Sequence, residues 1–221
     1  MTKVELFRER VRFAPAPSGS LHIGNARTAL FNWIIAKKTK GSFILRIDDT
    51  SHKAEPEIVD SILKDLNWLG IYPDEGPYFQ SSRIKRYREV VDSLLKEGVA
   101  YVCFCKEKPK GRCYRCLSKS PKEIVEGHPV RLKTGYKKRE VKDLVFGRLY
   151  LSTEDDPIIW RSNGLPTYYL TSTIDDIDYG TTLIMRGEDL LSSTPYQIFI
   201  MEVLGVKLPK FAHLPLIFQP D

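Results

Sequence analysis

No apolar run in the sequence approaches the roughly 18 residues that cross a bilayer, so no membrane partner is expected. The first ten residues, Met1-Thr2-Lys3-Val4-Glu5-Leu6-Phe7-Arg8-Glu9-Arg10, lack the apolar core of a signal peptide. There is no internal repeat and no low-complexity tract. There is no G-x-x-x-x-G-K-[ST] run either, which excludes a P-loop nucleotidase by pattern. Cysteine is scarce: Cys103, Cys105, Cys113 and Cys116 are the only four, all within one short stretch. A secreted disulfide scaffold would scatter its cysteines as staples. These features predict a cytoplasmic protein with reduced thiols.

What is present is the balance of a folded domain: 42% apolar and 28% charged among 221 residues. That length supports one large domain or two modest ones. Lys and Arg number 34 against 28 Asp and Glu, a net charge of +6, which favours a polyanionic partner such as nucleic acid or a nucleotide. Residues 10–80 read as β-loop-α-β-α. A strand near residues 10–13 runs into the Pro/Gly loop Ala14-Pro15-Ala16-Pro17-Ser18-Gly19-Ser20. A helix is predicted over 24–38, with Ala26, Leu30, Phe31, Ile34 and Ile35 apolar, and a buried strand over 43–47. Pro56 suits the first position of a helix that Gly70 stops, with Val59, Ile62, Leu63 and Leu66 at helical spacing. Ile84, Tyr87, Val90, Val91, Leu94 and Leu95 make one helix face ended by Gly98, and strand-like pieces lie around 141–151. The α/β character returns after Leu165. A strand is expected over 182–185, a helix opening at Pro195 behind a Ser192-Ser193-Thr194 cap, and a last strand over 214–218. The expected organisation is an α/β parallel sheet over 1–80 and 165–221, split by an inserted domain over 81–164. The chain stops just after the last strand, where an open sheet normally continues, and this reads as a truncation.

Four clusters could carry chemistry. Ser18-Gly19-Ser20-Leu21-His22-Ile23-Gly24-Asn25 lies between a strand and its helix. Glycines there admit a phosphate to the backbone, and a His can stabilise developing charge. Arg46-Ile47-Asp48-Asp49 and Met185-Arg186-Gly187-Glu188-Asp189 both sit at carboxyl ends of strands, where open α/β sheets bind ligands. Asp48 and Asp49 could hold an ammonium group or a hydroxyl, and Arg186 could clamp a carboxylate or phosphate. Asp48 and Asp49 could instead be an acidic loop approaching a helix, and Arg186 a loop ion pair. The convergence of three polar clusters on one sheet edge weighs against the latter. Cys103-x-Cys105 and Cys113-x-x-Cys116 suit four thiolates around one tetrahedral, structural Zn²⁺. Lys106, Lys108, Lys110, Arg112, Arg115 and Lys119, with the basic run over 131–139, could track a phosphate backbone or simply be a solvated basic surface.

Taken in order, several stretches resemble the glutamyl-tRNA synthetase family. They are Arg12-Phe13-Ala14-Pro15-Ala16-Pro17-Ser18-Gly19-Ser20-Leu21-His22-Ile23-Gly24-Asn25-Ala26-Arg27, Phe43-Ile44-Leu45-Arg46-Ile47-Asp48-Asp49-Thr50, Trp68-Leu69-Gly70, Asp74-Glu75-Gly76-Pro77-Tyr78, Gly164-Leu165-Pro166-Thr167-Tyr168, Asp175-Asp176, Met185-Arg186-Gly187-Glu188-Asp189 and Phe211-Ala212-His213-Leu214-Pro215-Leu216-Ile217. The resemblance implies a class I synthetase Rossmann-type parallel sheet split by a zinc-containing α+β insertion. It also implies ATP- and Mg²⁺-dependent activation of glutamate, followed by transfer to tRNA, by a monomer. Arg12 and Arg186 would hold the amino-acid carboxylates and Asp48 the ammonium group. Ala14, Ala16, Tyr168 and Ser172 would line the amino-acid pocket. His22, Gly24, Asn25, Glu188 and Asp189 would meet ATP, with His22 and Gly24 supporting its α-phosphate. The short insertion and the Cys-x-Cys pair are closer to the compact glutamyl-queuosine tRNA(Asp) synthetases, which glutamylate a modified base. Ala16 stands where the family usually has Ser, and Asp48 where it has Glu. The Lys-Met-Ser-Lys-Ser-type loop of relatives begins a few residues beyond Asp221. An impaired tRNA- or amino-acid-binding paralogue would share these departures.

Overall fold

A computed structural model describes residues 8–50, 55–105, 111–118 and 120–217. Three parallel strands open the chain: β1 (Arg10–Phe13), β2 (Ser42–Ile47) and β3 (Glu75–Phe79), in sheet order β1-β2-β3. Helix α1 (Ile23–Thr39) links β1 to β2, and α2 (Pro56–Trp68) links β2 to β3. A single turn of 3₁₀ helix, Gln80–Arg83, leads into α3 (Ile84–Lys96). The next elements are β4 (Ala100–Val102), the short α4 (Tyr114–Leu117), β5 (Val130–Leu132), β6 (Lys137–Asp143), β7 (Gly147–Thr153) and β8 (Ile158–Trp160). Helix α5 (Tyr168–Asp178), β9 (Leu183–Gly187), α6 (Thr194–Val203) and β10 (Lys210–Leu214) complete the described chain.

The second sheet runs β7-β6-β10-β9, with β9, β10 and β6 parallel and β6–β7 an antiparallel hairpin. It meets the first sheet edge to edge. The Thr182 N–H donates to the Arg10 carbonyl at 2.9 Å, and the Arg10 N–H donates to Thr182 Oγ1 at 2.8 Å. The strands therefore lie in the sequence β3-β2-β1-β9-β10, and chain order reverses between β1 and β9. In a doubly wound sheet that reversal opens a crevice at the carboxyl ends of the two strands. One apolar cluster serves both sheets, joining Val11, Phe13, Phe43, Leu45 and Ile47 to Leu183, Met185, Ala212 and Leu214. A second packs α3 and the antiparallel sheet β4-β5-β8 against α5 and α6.

Local rules explain much of this. Helices α2 and α3 are stopped by Gly70 and Gly98, whose φ angles of 71° and 72° only glycine adopts freely. In each case the next amide reaches back to the last turn: Ile71 to the Leu66 carbonyl at 2.9 Å and Val99 to that of Leu94 at 3.0 Å. The expected helices and the strands around 43–47 and 182–185 are present within one or two residues, whereas three expectations need correction. The large apolar residues Leu30, Phe31 and Ile34 of α1 are exposed, and the face on the sheet is Ala29, Asn32 and Ala36. Small residues let the helix lie close enough for Asn32 Nδ2 to donate to the Met185 carbonyl at 3.1 Å. The last strand is Lys210–Leu214 rather than 214–218, because Pro215 has no N–H to continue a ladder; Phe218 lies outside the described residues. Ser193 makes no side-chain cap on α6, and the Thr194 hydroxyl turns inward to a buried arginine instead.

Ion pairs lock the first sheet to α5. Arg12 Nε donates to Asp176 Oδ1 at 2.8 Å, and Arg46 Nη1 to the same oxygen at 3.3 Å. Asp175 accepts from Gln80 Nε2 and the Tyr87 hydroxyl, each at 2.8 Å, with Arg46 Nε 3.5 Å away. Burial pushes the Asp175 carboxyl up against the pull of Arg46. Burial works to lower Arg46, yet Asp48, Asp176 and Asp175 outweigh it and hold the guanidinium charged. Removing one partner of such a buried set costs about 3–5 kcal/mol. Asp176→Asn is therefore expected to lower the unfolding free energy by about that amount, read as a shift in urea midpoint at unchanged slope. A loss below about 1 kcal/mol would mean that Arg12 and Arg46 do not depend on Asp176.

Candidate active site

The crevice predicted by the strand order is a cleft lined by Arg12, Ala14, His22, Gly24, Asn25, Arg27, Tyr168, Arg186, Asp189 and neighbouring apolar residues of β1, β9 and 215–217. Its two walls come from opposite ends of the chain. One is the β1–α1 connection, and the other is the carboxyl end of β9 with the amino end of α5.

His22 is the N-cap of α1. Its Nδ1 accepts from the Gly24 N–H at 3.1 Å and, more loosely, from the Asn25 N–H at 3.4 Å. An accepting Nδ1 places the neutral ring's proton on Nε2, which is then a donor free for a ligand. The ring folds over residue 24 so closely that a Cβ there would meet His22 Cε1 at 3.0 Å, so any larger residue would push the capping ring aside by a few tenths of an ångström. The helix start, its dipole and the Nε2–H together make an anion-binding corner.

Arg186 sits opposite, only 3% exposed. Its Nε donates to His213 Nε2 at 3.2 Å, its Nη2 to Thr194 Oγ1 at 2.8 Å and its Nη1 to the Tyr168 hydroxyl at 3.1 Å. These partners are all neutral or weakly polar, and among the described residues no carboxylate lies within ion-pair distance of Arg186. Three of its five N–H groups are used, leaving one on each terminal nitrogen, the pair that binds a carboxylate in two-pronged fashion. Arg12 differs: Nε and Nη2 rest on Asp176 at 2.8 and 3.4 Å, and Nη1 donates to the Met185 carbonyl at 3.2 Å.

Not every sequence-predicted residue reaches the cleft. Asp48 is clasped by Arg46 through both oxygens, at 2.6 and 3.0 Å, and burial raises its carboxyl despite that partner. Asp49 accepts from the Ser81 amide at 2.8 Å and stays with the loop. Ser172 is buried, donating to the Tyr168 carbonyl at 2.8 Å and accepting from Gln197. Glu188 accepts from the Leu216 N–H at 2.9 Å, and Ala16 is exposed outside the cleft. Pattern reading gave no role to Asp143, Thr194 or His213 in this site. The available signal was a lone His within the otherwise apolar Phe211-Ala212-His213-Leu214.

Away from the cleft, Cys103, Cys105, Cys113 and Cys116 bring their sulfurs within 4.8 Å of one another. The Phe104 N–H donates to Cys116 Sγ at 3.3 Å, an arrangement that suits a thiolate. Of the flanking basic residues, Arg112 is spent on buried Asp156 at 3.0 Å, and Arg139 is buried against Glu202 at 3.1 Å. Arg131 is buried and donates to the Gly111 and Asp156 carbonyls at 2.9 and 2.8 Å. Arg115, Lys133, Lys137 and Lys138 are exposed, while Lys106, Lys108, Lys110 and Lys119 lie outside the described residues. No helix among the described residues is long and apolar enough to cross a membrane.

Residues 9–221 match the family described as tRNA synthetases class I (E and Q), catalytic domain. The chain belongs to that family. Glutamate–tRNA ligase 1 of Caldanaerobacter subterraneus subsp. tengcongensis is 45% identical over 96% of this chain and 49% of its own length. Glutamate–tRNA ligase 2 of Thermoanaerobacter pseudethanolicus is 43% identical over the same shares. The crystal structure of a glutamate tRNA ligase from Elizabethkingia meningosepticum, in complex with its amino acid, superposes with a TM-score of 0.84 at 30% identity. That match covers 97% of this chain and 50% of the other. The chain thus spans about half the length of the curated relatives it matches, and it has the class I synthetase fold with its parallel sheet.

The cap on α1 can be separated from any role of His22 toward a ligand. His22→Ala is expected to lower stability by about 1 kcal/mol, and His22→Asn, which can still cap, by a few tenths. Equal urea midpoints for the two variants would refute the capping role.

Proposed function

We propose that this catalytic domain activates glutamate with ATP and transfers it to tRNA, within a protein that acts as a cytoplasmic monomer. The observation that carries this reading is Arg186: a buried cation with no counter-charge among the described residues, at a synthetase cleft, with two N–H groups left for an anion. Leaving such a charge unpaired is costly, so a ligand carboxylate is the partner the site lacks. Arg186 and Arg12 hold the carboxylates of glutamate, and Tyr168 closes that side, with Ala14 beside Arg12. Asp48 is assigned the ammonium group through the lone pairs that Arg46 leaves, which requires its carboxylate to turn toward the cleft it does not line here. Ser172 and Ala16 also lie outside that cleft and are assigned no contact. His22 Nε2–H, Gly24 and Asn25 receive the nucleotide phosphates, and Glu188 and Asp189 flank the nucleotide. Mg²⁺ accompanies those phosphates as their counter-ion, held by them more than by protein ligands.

In the reaction so read, an α-carboxylate oxygen of glutamate attacks the α-phosphorus of ATP and pyrophosphate leaves with the bridging electron pair. Negative charge on the α-phosphate oxygens grows in the transition state, where His22 and the first amides of α1 stabilise it. A tRNA hydroxyl then attacks the carbonyl of the mixed anhydride, and AMP departs. The segment 81–164 is proposed as the insertion that meets the acceptor stem, through exposed Arg115, Lys133, Lys137 and Lys138. The four thiolates would hold one Zn²⁺ with no open position, so it would brace the loop around α4 and take no part in the chemistry.

Two outcomes are expected. ATP–pyrophosphate exchange should depend on glutamate, and Arg186→Ala should lower kcat/KM for glutamate by about 100-fold or more. Exchange in that variant within about threefold of the unsubstituted protein would remove Arg186 from the carboxylate site. Protein purified without chelator should carry about one equivalent of zinc by elemental analysis. Less than about a tenth of an equivalent would refute the metal site.

A further inference from the structure

Arg186 is held by a chain of groups that does not touch the cleft. His213, fully buried in β10, accepts at Nε2 from Arg186 Nε, while its Nδ1 lies 2.7 Å from Asp143 Oδ2. An arginine Nε can only donate, so Nε2 of the ring must be the acceptor and the ring proton sits on Nδ1, donated to Asp143. Burial, and the Arg186 cation beside it, lower the His213 pKa and keep the ring neutral. Asp143 is itself fixed at the tip of the β6–β7 hairpin. Its Oδ1 accepts from the Val145 and Phe146 amides at 2.9 and 3.0 Å, and its Oδ2 from the His213 amide at 3.1 Å. Burial alone would raise this carboxyl, but the Phe146 amide, the His213 ring and the Val145 amide outweigh it and hold it ionised.

We propose that Asp143 is a positioning residue for amino-acid binding: by fixing the tautomer of His213 it supplies the acceptor that sets the guanidinium plane of Arg186. The two free N–H groups of Arg186 then face a substrate carboxylate together. The inference rests on the reading of Arg186 as the carboxylate clamp. A purely space-filling role makes a different prediction, because the arrangement works with one tautomer only. In Asp143→Asn the amide oxygen can keep the hairpin amides and the His213 N–H, which also lies 3.3 Å from Oδ1, and the NH₂ then turns toward His213 Nδ1. The ring must then accept at Nδ1 and carry its proton on Nε2, donor against donor at Arg186.

The test uses the whole protein with tRNA present. Asp143→Asn is expected to raise KM for glutamate in pyrophosphate exchange by about 10- to 100-fold, with KM for ATP nearly unchanged. The ¹⁵N signals of His213 should move to the Nε2–H tautomer. A glutamate KM within about twofold of the unsubstituted protein overturns the proposal, as do equal rises for glutamate and ATP with a lowered midpoint. His213→Gln, which keeps an acceptor near the Nε2 position, should lose less than His213→Leu. Equal glutamate KM values for those two variants overturn the proposal even if Asp143→Asn does not fold. Arg186→Ala measured alongside separates the two readings. If it leaves glutamate use intact, the clamp itself is wrong; if it abolishes use while Asp143→Asn does not change it, only the positioning role fails.

Discussion

The structure depends on a buried charge balance centred on Arg46. Its guanidinium lies at the end of β2 among Asp48, Asp175 and Asp176, and Asp176 also holds Arg12 of β1. Arg83 adds a third cation 3.2 Å from Asp175, and it is also paired with Asp178 at the end of α5. Removing each of these ions from water costs several kcal/mol, and their mutual attraction does little more than offset that cost. The set therefore acts on placement more than on net stability. It admits one arrangement of β1, β2, the 3₁₀ turn and α5, because any displacement leaves a buried charge alone. Through α5 it also fixes Tyr168, which forms one side of the cleft.

Against that balance, two arginines at similar depth in the same cleft have different chemical meanings. The charge of Arg12 is already answered by Asp176, so its remaining N–H groups can orient a ligand with little change in the local field. Arg186 meets a hydroxyl, a second hydroxyl and a neutral imidazole, all of which satisfy hydrogen bonds without cancelling charge. The dipoles of three neutral acceptors make a lone buried guanidinium tolerable. They leave its affinity for an anion high, which is what the carboxylate role proposed for Arg186 requires.

The parts of the fold legible in the sequence were those fixed by local rules. Helix α3 shows its buried stripe at helical spacing, Pro56 and Gly70 bracket α2, and the run over 43–47 declares a strand buried on both faces. The four cysteines were legible because their ligand spacing is contained within 14 positions. The short strands β4, β5 and β8 were not, since three residues carry no period and their pairing is decided by partners far along the chain. Helix α5 is hard to read for a related reason. Leu170, Ile174 and Ile177 do repeat at helical spacing, but Thr171, Ser172, Thr173, Asp175 and Asp176 are polar yet buried, so the stripe is narrow and the polar residues do not mark a solvent face. The contacts that orient the site join residues such as Arg12 and Asp176, or Asp143 and His213, between which no local pattern runs. The adjacent Asp48 and Asp49 look like a ligand pair by sequence, but Asp48 is engaged by Arg46 two residues before it, and Asp49 by Ser81, which only the tertiary fold brings near.

The strand order explains why one cleft can be built so tightly from distant segments. Reversal of chain order between β1 and β9 brings the cap of α1 and the end of β9 to one edge, each tied down from its own side. The β1 wall is secured by Asp176 through Arg12. The β9 wall is secured by β10, whose His213 lies between Arg186 and the Asp143 hairpin. Because β6 joins the sheet beside β10, the middle third of the chain is continuous with the floor of the cleft. A shift of the β6–β7 hairpin therefore reaches Arg186 through two directional hydrogen bonds, Asp143 to His213 and His213 to Arg186. A shift of α2 reaches the loop before His22 through the Leu21 N–H, which donates to Asp65 Oδ2 at 3.2 Å, and a shift of β3 reaches β1 through the Arg10–Glu75 ion pair at 2.6 Å. The cap of α1 and Arg186 are joined across the edge between β1 and β9, where Asn32 of α1 and Arg12 of β1 both donate to the Met185 carbonyl, the residue before Arg186.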